Sequence, residues 1–427
     1  MVKDFGPFTS INAPVDRAAL KLLIAGTVLS SCLGGFASAP LLALPDLTKA
    51  RTQFENGSWD ETLQTLGTAK DFQSCFLRGQ INDILGPPLD QQLVYTWQDN
   101  PEDARALAFA GYINSHWKEC HQTAFELLKK SLKIDPKNAD THSIFGRFLF
   151  KTGKKAEGMQ EMLYARSLAP QSFLVLHNLA DTYIDELSPD KALEQLNSLV
   201  QYHPTMPLAY FYRARYFEDR GQVVKAMADY DHALQINRRF RLAAAFKAAF
   251  LLRRGESEQA AAAATIALPP STQNRRDSII DKALKTRAIA EIALHQDEKA
   301  VADLNRIIGK QSQFTGQKLQ SDTIKDLVLE RAKAYERLGD WSRADKDLTI
   351  LQSQGKTGSE IEFLKAKLLE DKNQPTAALL RYNKLINSGL PAPEFYRGRA
   401  RVYTKLGKTN LAEADLKKAQ NLETPHF

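Results

Sequence analysis

One period constrains this chain more than any other feature: small residues return about every 34 positions in two linked phases. Gly153, Gly221, Gly255, Gly339 and Gly407 hold one phase. Ala192, Ala226, Ala260, Ala300, Ala344, Ala378 and Ala412 hold the other, five residues beyond the first. A period of this length belongs to stacked helical hairpins, each too small to bury its apolar face alone, so that neighbours share a continuous core. A chain of 427 residues would otherwise suggest two or three globular domains. Its 43% hydrophobic and only 9% aromatic content suits thin layers of Ala and Leu between helices.

Units start near Arg105, Ala139, Phe173, Pro207 and Arg241, then after two longer steps near Asp281 and Lys325, and again near Ser359 and Pro393. Small residues at positions 8 and 20 let two antiparallel helices approach, and position 27 lets the next hairpin dock. The fourth unit carries Tyr210, Ala214, Phe217, Gly221, Ala226, Tyr230 and Ala233, and the last carries Tyr396, Ala400, Tyr403, Gly407, Ala412, Leu416 and Ala419. Pro136, Pro170 and Pro204 mark helix stops in the same phase. This pattern resembles the tetratricopeptide repeat family. The resemblance implies an all-α fold, a right-handed α-α superhelix, and a scaffold that binds peptides or proteins. Gly158 in place of Ala, Leu187-Ser188-Pro189-Asp190 in place of a turn Gly, and Asn373 predict locally weaker hairpins. Six extra residues around Pro269–Asn274 and ten around Gln311–Gly316 predict loops or helix extensions, the first of them also marking a candidate joint between two halves.

The first residues read as a targeting segment. Arg17 and Lys21 precede a short apolar run ending in Leu29-Ser30-Ser31-Cys32. That tetrapeptide resembles the bacterial lipoprotein box, which implies lipidation of Cys32 and a mature chain that begins there. Leu33, rather than Asp, then implies no retention at an inner membrane. Two other readings fit: a secretory peptide cut after Ala37-Ser38-Ala39, and an uncleaved anchor over Leu22–Leu44, whose 23 uncharged residues suffice to span ~30 Å. The resulting plan is a signal peptide over 1–31, a tether and irregular helical cap over 32–104, five units over 105–270 and four over 271–427. Within the cap, Leu47–Leu66 looks like a partial unit, and Asp71–Leu85 and Leu89–Trp97 read as short helices. Cys75 and Cys120 fit either separate thiols or one disulfide.

Motifs for chemistry are missing from the sequence: there is no phosphate-cradling glycine loop, HExxH, GxSxG or calcium loop. His116 and His121 fall across a turn, and Asp229 and Asp231, two apart on a helix, do not share a face. No catalysis, metal or cofactor is expected. The resemblance to the repeat family instead implies that positions 2, 5, 9, 12 and 13 of the first helices face a groove, and the register puts Arg147, Lys151, Arg215, Arg253, Lys333, Arg397, Arg401 and Lys405 there, with side chains expected in solvent. From His203 to Arg287 there are fifteen Lys or Arg against eight Asp or Glu, within a net charge of +7. Such a groove suits an acidic peptide, a C-terminal carboxylate or a sugar acid; Arg is also a good helix former on a wet face. The Asn residues of the family's carboxylate clamp are lacking, and no interleaved exposed aromatics point to nucleic acid. The expectation is a non-catalytic, lipid-anchored scaffold at a bacterial cell envelope that binds a protein partner. The alternative is a regulatory or adaptor subunit of an envelope enzyme or transporter.

Overall fold

A computed structural model describes residues 102–116, 118–269, 278–315, 322–389 and 392–423, with residues 49, 53, 64 and 65. The chain divides into residues 1–44 and 45–427, and every described residue belongs to the second unit. Cys32 and the targeting segment, Cys75, nearly all of the cap and most of the first insertion lie outside the described residues.

The described residues form nine antiparallel helix pairs and no strand. The first three pairs are α1 (Ala104–Asn114) with α2 (His121–Ile134), α3 (Ala139–Lys151) with α4 (Lys155–Leu168), and α5 (Phe173–Asp185) with α6 (Pro189–Tyr202). Next come α7 (Pro207–Asp219) with α8 (Val223–Ile236), α9 (Arg241–Arg253) with α10 (Ser257–Ile266), and α11 (Ser278–Ala293) with α12 (Asp297–Thr315). The last are α13 (Asp322–Arg337) with α14 (Trp341–Ser353), α15 (Ser359–Asp371) with α16 (Pro375–Asn387), and α17 (Pro393–Lys405) with α18 (Thr409–Glu423). No described helix is long and apolar enough to cross a membrane.

Each hairpin from the second onward turns through one residue in the left-handed region. Five are the phased glycines, from Gly221 at φ 67° to Gly153 at φ 102°. The other three are Leu187 (56°), His295 (57°) and Asn373 (53°), at the equivalent places. In all eight, the residue after the turn donates its N–H to the carbonyl five positions back, as Ser188 does to Tyr183 at 2.8 Å and Gln296 to Glu291 at 2.8 Å. That bond caps the first helix whatever side chain occupies the turn. Leu187 bears the largest conformational penalty, roughly 1–2 kcal/mol, because its Cβ crowds the following carbonyl.

Gly158 reverses its expectation. A Cβ built there would lie 2.5 Å from the Gly146 carbonyl oxygen and 2.6 Å from the Phe150 nitrogen. A Cβ on Gly146 would meet the Gly158 carbonyl at 2.6 Å. The two glycines, at positions 8 and 20, bring α3 and α4 into backbone contact, so the missing side chain tightens this hairpin.

The second insertion lengthens a helix. α11 begins three residues ahead of its register start at Asp281, and α12 runs on to Thr315. Across the first insertion the core continues: Ala267 at the end of the fifth hairpin is clustered with Ile279 and Ala283 of α11. First helices of successive hairpins touch one another directly, as α3 with α5 and α9 with α11, whereas no comparable contact joins second helices. The first helices therefore line the inner side of the stack.

Candidate functional site

Positions on the inner row are fixed by the first helices, and the expected groove cations can be followed one by one. Arg147 is drawn away from solvent: its Nη1 donates to Asp185 at 2.7 Å and to Thr182 Oγ1 at 3.1 Å, and only 13% of its side chain is exposed. Arg215 pairs with Glu218 at 2.8 Å and Asp219 at 3.6 Å. Arg253 pairs with the same Glu218. Lys333 bridges Glu330, at 2.8 Å, and Glu360. Arg397 pairs with Glu423, Arg401 with Glu370 at 3.2 Å, and Lys405 donates to the Glu370 backbone carbonyl at 3.1 Å. Lys151 ends α3 as an exposed residue.

The row is therefore not the single-signed, wholly solvated surface that a count of Lys and Arg suggests. Carboxylates on the same inner face answer the cations, chiefly Glu at position 12. Glu218 is the fullest case, its side chain only 6% exposed and taking Arg215, Arg253 and the Tyr230 hydroxyl. Burial, reinforced by Glu218, pushes the Tyr230 hydroxyl well above its usual pKa. Glu370 repeats the arrangement one half-stack later, buried against Arg401, and burial with this carboxylate raises the pKa of Tyr382.

A second polar device escaped the sequence reading. At position 7, where the repeat pattern wants Leu, four hairpins carry Arg, and each grips the Asp sixteen residues ahead through two parallel bonds. The pairs are Arg213 with Asp229 (both 2.8 Å), Arg287 with Asp303 (2.7 and 2.8 Å), Arg331 with Asp347 (2.8 and 2.6 Å) and Arg399 with Asp415 (both 2.7 Å). The remaining Nη1 reaches back to position 25 of the preceding hairpin: Asn197 at 3.1 Å, Thr265 at 3.2 Å, Asn305 at 2.8 Å and Asn383 at 2.8 Å. All four Asp are buried. One guanidinium thus clips three helices together, using the planar fork that Lys lacks. The signal was present as Asn197-Arg213-Asp229 and Asn383-Arg399-Asp415, each spaced sixteen and sixteen.

The sixth hairpin departs from this design. In three clips the Arg also lies over an aromatic ring at position 11: Phe217 at 6.0 Å, Tyr335 at 5.9 Å and Tyr403 at 5.7 Å. Arg287 has Glu291 there instead, with its Oε1 at 3.8 Å and its Oε2 buried without a hydrogen-bond partner. Burial, then the neighbouring Asp303 charge, pushes the Glu291 pKa up to about 7, against the pull of Arg287 and Lys299. Between its unfolded value and about 7 the folded chain holds the extra proton, so stability falls as pH rises through that window. Glu291→Gln should abolish a loss on the order of 2–3 kcal/mol between pH ~4.5 and ~7. Denaturation of both proteins across that range checks it; parallel profiles would reject the proton.

Among the described residues no group of three or more His, Cys, Asp or Glu could hold a metal ion. Asp229, weighed in the sequence as one of two close carboxylates, is committed to Arg213.

Residues 177–241 match the family model of the tetratricopeptide repeat. No curated protein matches the chain. Among solved structures it is similar to PilW, described as a widely conserved type IV pilus biogenesis factor, with 20% identity over 52% of this chain and 96% of that one and a TM-score of 0.37. A tetratricopeptide repeat protein from Parabacteroides merdae shares 17% identity over 74% of this chain and 98% of that one, with a TM-score of 0.29. PilF from Pseudomonas aeruginosa shares 13% over 62% and 98%, with a TM-score of 0.33. The fold is an all-α solenoid of tetratricopeptide type.

Proposed function

We propose that this chain is a non-catalytic scaffold held at a bacterial cell envelope, presenting the inner row of its first helices to another protein. The observation that carries the reading is the side-by-side packing of first helices, which brings side chains from three successive hairpins onto one surface. Arg215 and Glu218 of α7 meet Arg253 of α9 there. A continuous surface of this kind suits an extended segment or a helix of a partner, read at several points. Lipidation at Cys32 supplies the envelope half of the proposal, since an anchored scaffold meets membrane partners at raised effective concentration.

The test is crosslinking of the full chain in membranes, followed by partner capture and intact-mass analysis. A lipidated N-terminus at Cys32, loss of membrane partitioning in Cys32→Ser, and a reproducible protein partner are the expected results. An unlipidated start at Pro40, or residues 1–31 still attached, would overturn the anchor alone. Turnover of a substrate by the purified protein would overturn the scaffold.

A further inference from the structure

Many inner-row cations are matched to carboxylates, and a cation that is not lies where the fourth, fifth and sixth hairpins meet. Lys282, at position 2 of the sixth hairpin, forms no hydrogen bond or ion pair with a described residue. Its ammonium lies 3.9 Å from the centroid of the Phe246 ring. The Arg215 guanidinium stands 4.8 Å from the same ring. Phe246 thus holds two cations from non-adjacent first helices close together, a geometry in which each ring contact offsets some loss of hydration. The charged groups that act on the Lys282 ammonium are Arg215 and Glu218 of α7, Arg253 of α9, and Lys285 of its own helix. Only Glu218 is acidic, and it is already shared between Arg215 and Arg253. With Asp219 included, four cations face two carboxylates.

Positive charge in such excess, partly removed from water, is unfavourable until an anion arrives. The ammonium records the strain: burial first, then Arg215 and Arg253, lower its pKa to about 8. An exposed lysine on a solvated helix face would feel neither effect. Elsewhere on the inner row the equivalent needs are met internally, by Glu360 for Lys333 and by Glu370 for Arg401.

We propose that Lys282, flanked by Arg215 and Arg253, is an oxyanion site on the inner face that takes a carboxylate or phosphate group displayed by a bound peptide. The proposal rests on the inner row being a protein-binding surface, and it assigns the strongest attraction on that surface to one place rather than to a distributed basic groove. Arg397, expected from sequence to share the binding, is already occupied by Glu423.

The full chain is titrated at low salt with fluorescein-labelled hexaglutamate, a hexaglutamine control, and a phosphoserine peptide of otherwise neutral sequence. Anisotropy should rise with hexaglutamate, the phosphopeptide or both, and not with hexaglutamine; which acid binds more tightly identifies the oxyanion. Lys282→Gln should weaken binding about tenfold or more. Lys282→Arg should retain it, and Arg397→Gln should leave it within about twofold of the parent. Affinity should also fall above pH ~8, because a neutral amine must first take up a proton. Equal affinity of the parent and Lys282→Gln, or binding of neither acidic peptide, overturns the site. The scaffold is judged separately: a membrane partner captured equally by the parent and Lys282→Gln keeps the scaffold and removes the site, whereas capture of no partner removes the scaffold.

Discussion

Arg331→Met is expected to destabilise the seventh hairpin by about 3–5 kcal/mol, because it leaves Asp347 buried with its charge unanswered. Only 4% of the Asp347 side chain is exposed. Burial already pushes its pKa up although Arg331 pulls the other way. Removing the guanidinium deletes two bonds to Asp347 and one to Asn305 while leaving the desolvation in place. The double variant Arg331→Met with Asp347→Leu should recover most of the loss, since apolar groups of similar volume need no partner. Lowering the pH should rescue the single variant in part by protonating Asp347. In a repeat stack a global midpoint blurs local effects. Amide exchange across Asp322–Ser353 is the measurement to use, and unchanged protection in Arg331→Met would show the pair to be without net effect.

Gly158→Ala should also be strongly unfavourable, with a net loss of about 2 kcal/mol or more. Two tendencies oppose each other here. Alanine in a helix interior gains roughly 1 kcal/mol over glycine. Against that, its methyl would fall within 2.6 Å of backbone atoms of Gly146 and Phe150, which no rotamer change relieves. Separating α3 from α4 by the needed distance exposes the shared core of Met162 and Phe150, and overpacking of this kind typically costs 1–3 kcal/mol beyond the propensity gain. The same substitution at Gly146 should behave alike. Thermal melting with limited proteolysis of the second hairpin would decide the matter; a more stable Gly158→Ala protein would mean the helices are not in backbone contact.

The hairpin register was legible in the sequence because steric requirements at positions 8, 15 and 20 leave few residue choices. Ala214, Gly221 and Ala226 sit where that logic places them, and the helices of the last unit begin and end around Gly407 as expected. What escaped notice was polar and nonlocal. Leu187 and His295 adopt the turn conformation without its usual residue, since the capping bonds are made by backbone alone. Arg213 stands within a basic stretch of sequence, and its partners Asp229 and Asn197 lie on two other helices. Counting charges found the excess around Arg215 and Arg253 but missed that both share Glu218, leaving Lys282, which the groove assignment omitted, without a carboxylate. A rule of helix faces fixes where a side chain points, and not which neighbour reaches it.

The clips also fasten the stack unevenly. Where position 7 is Arg, bending one hairpin against the previous one must distort a rigid planar group bonded on both sides. In the fifth and eighth hairpins the same position is Lys: Lys247 reaches back to Asp231 and Lys365 to Gln352, each through one pivoting ammonium. Neither finds a carboxylate in its own second helix, where Ala263 and Arg381 occupy position 23. These two joints are held instead by separate ion pairs between first helices, Arg253 with Glu218 at the fifth hairpin and Lys333 with Glu360 at the eighth. The three-helix clip thus recurs in the fourth, sixth, seventh and ninth hairpins and is interrupted at the fifth and eighth, so the stack alternates between two ways of fastening one hairpin to the last.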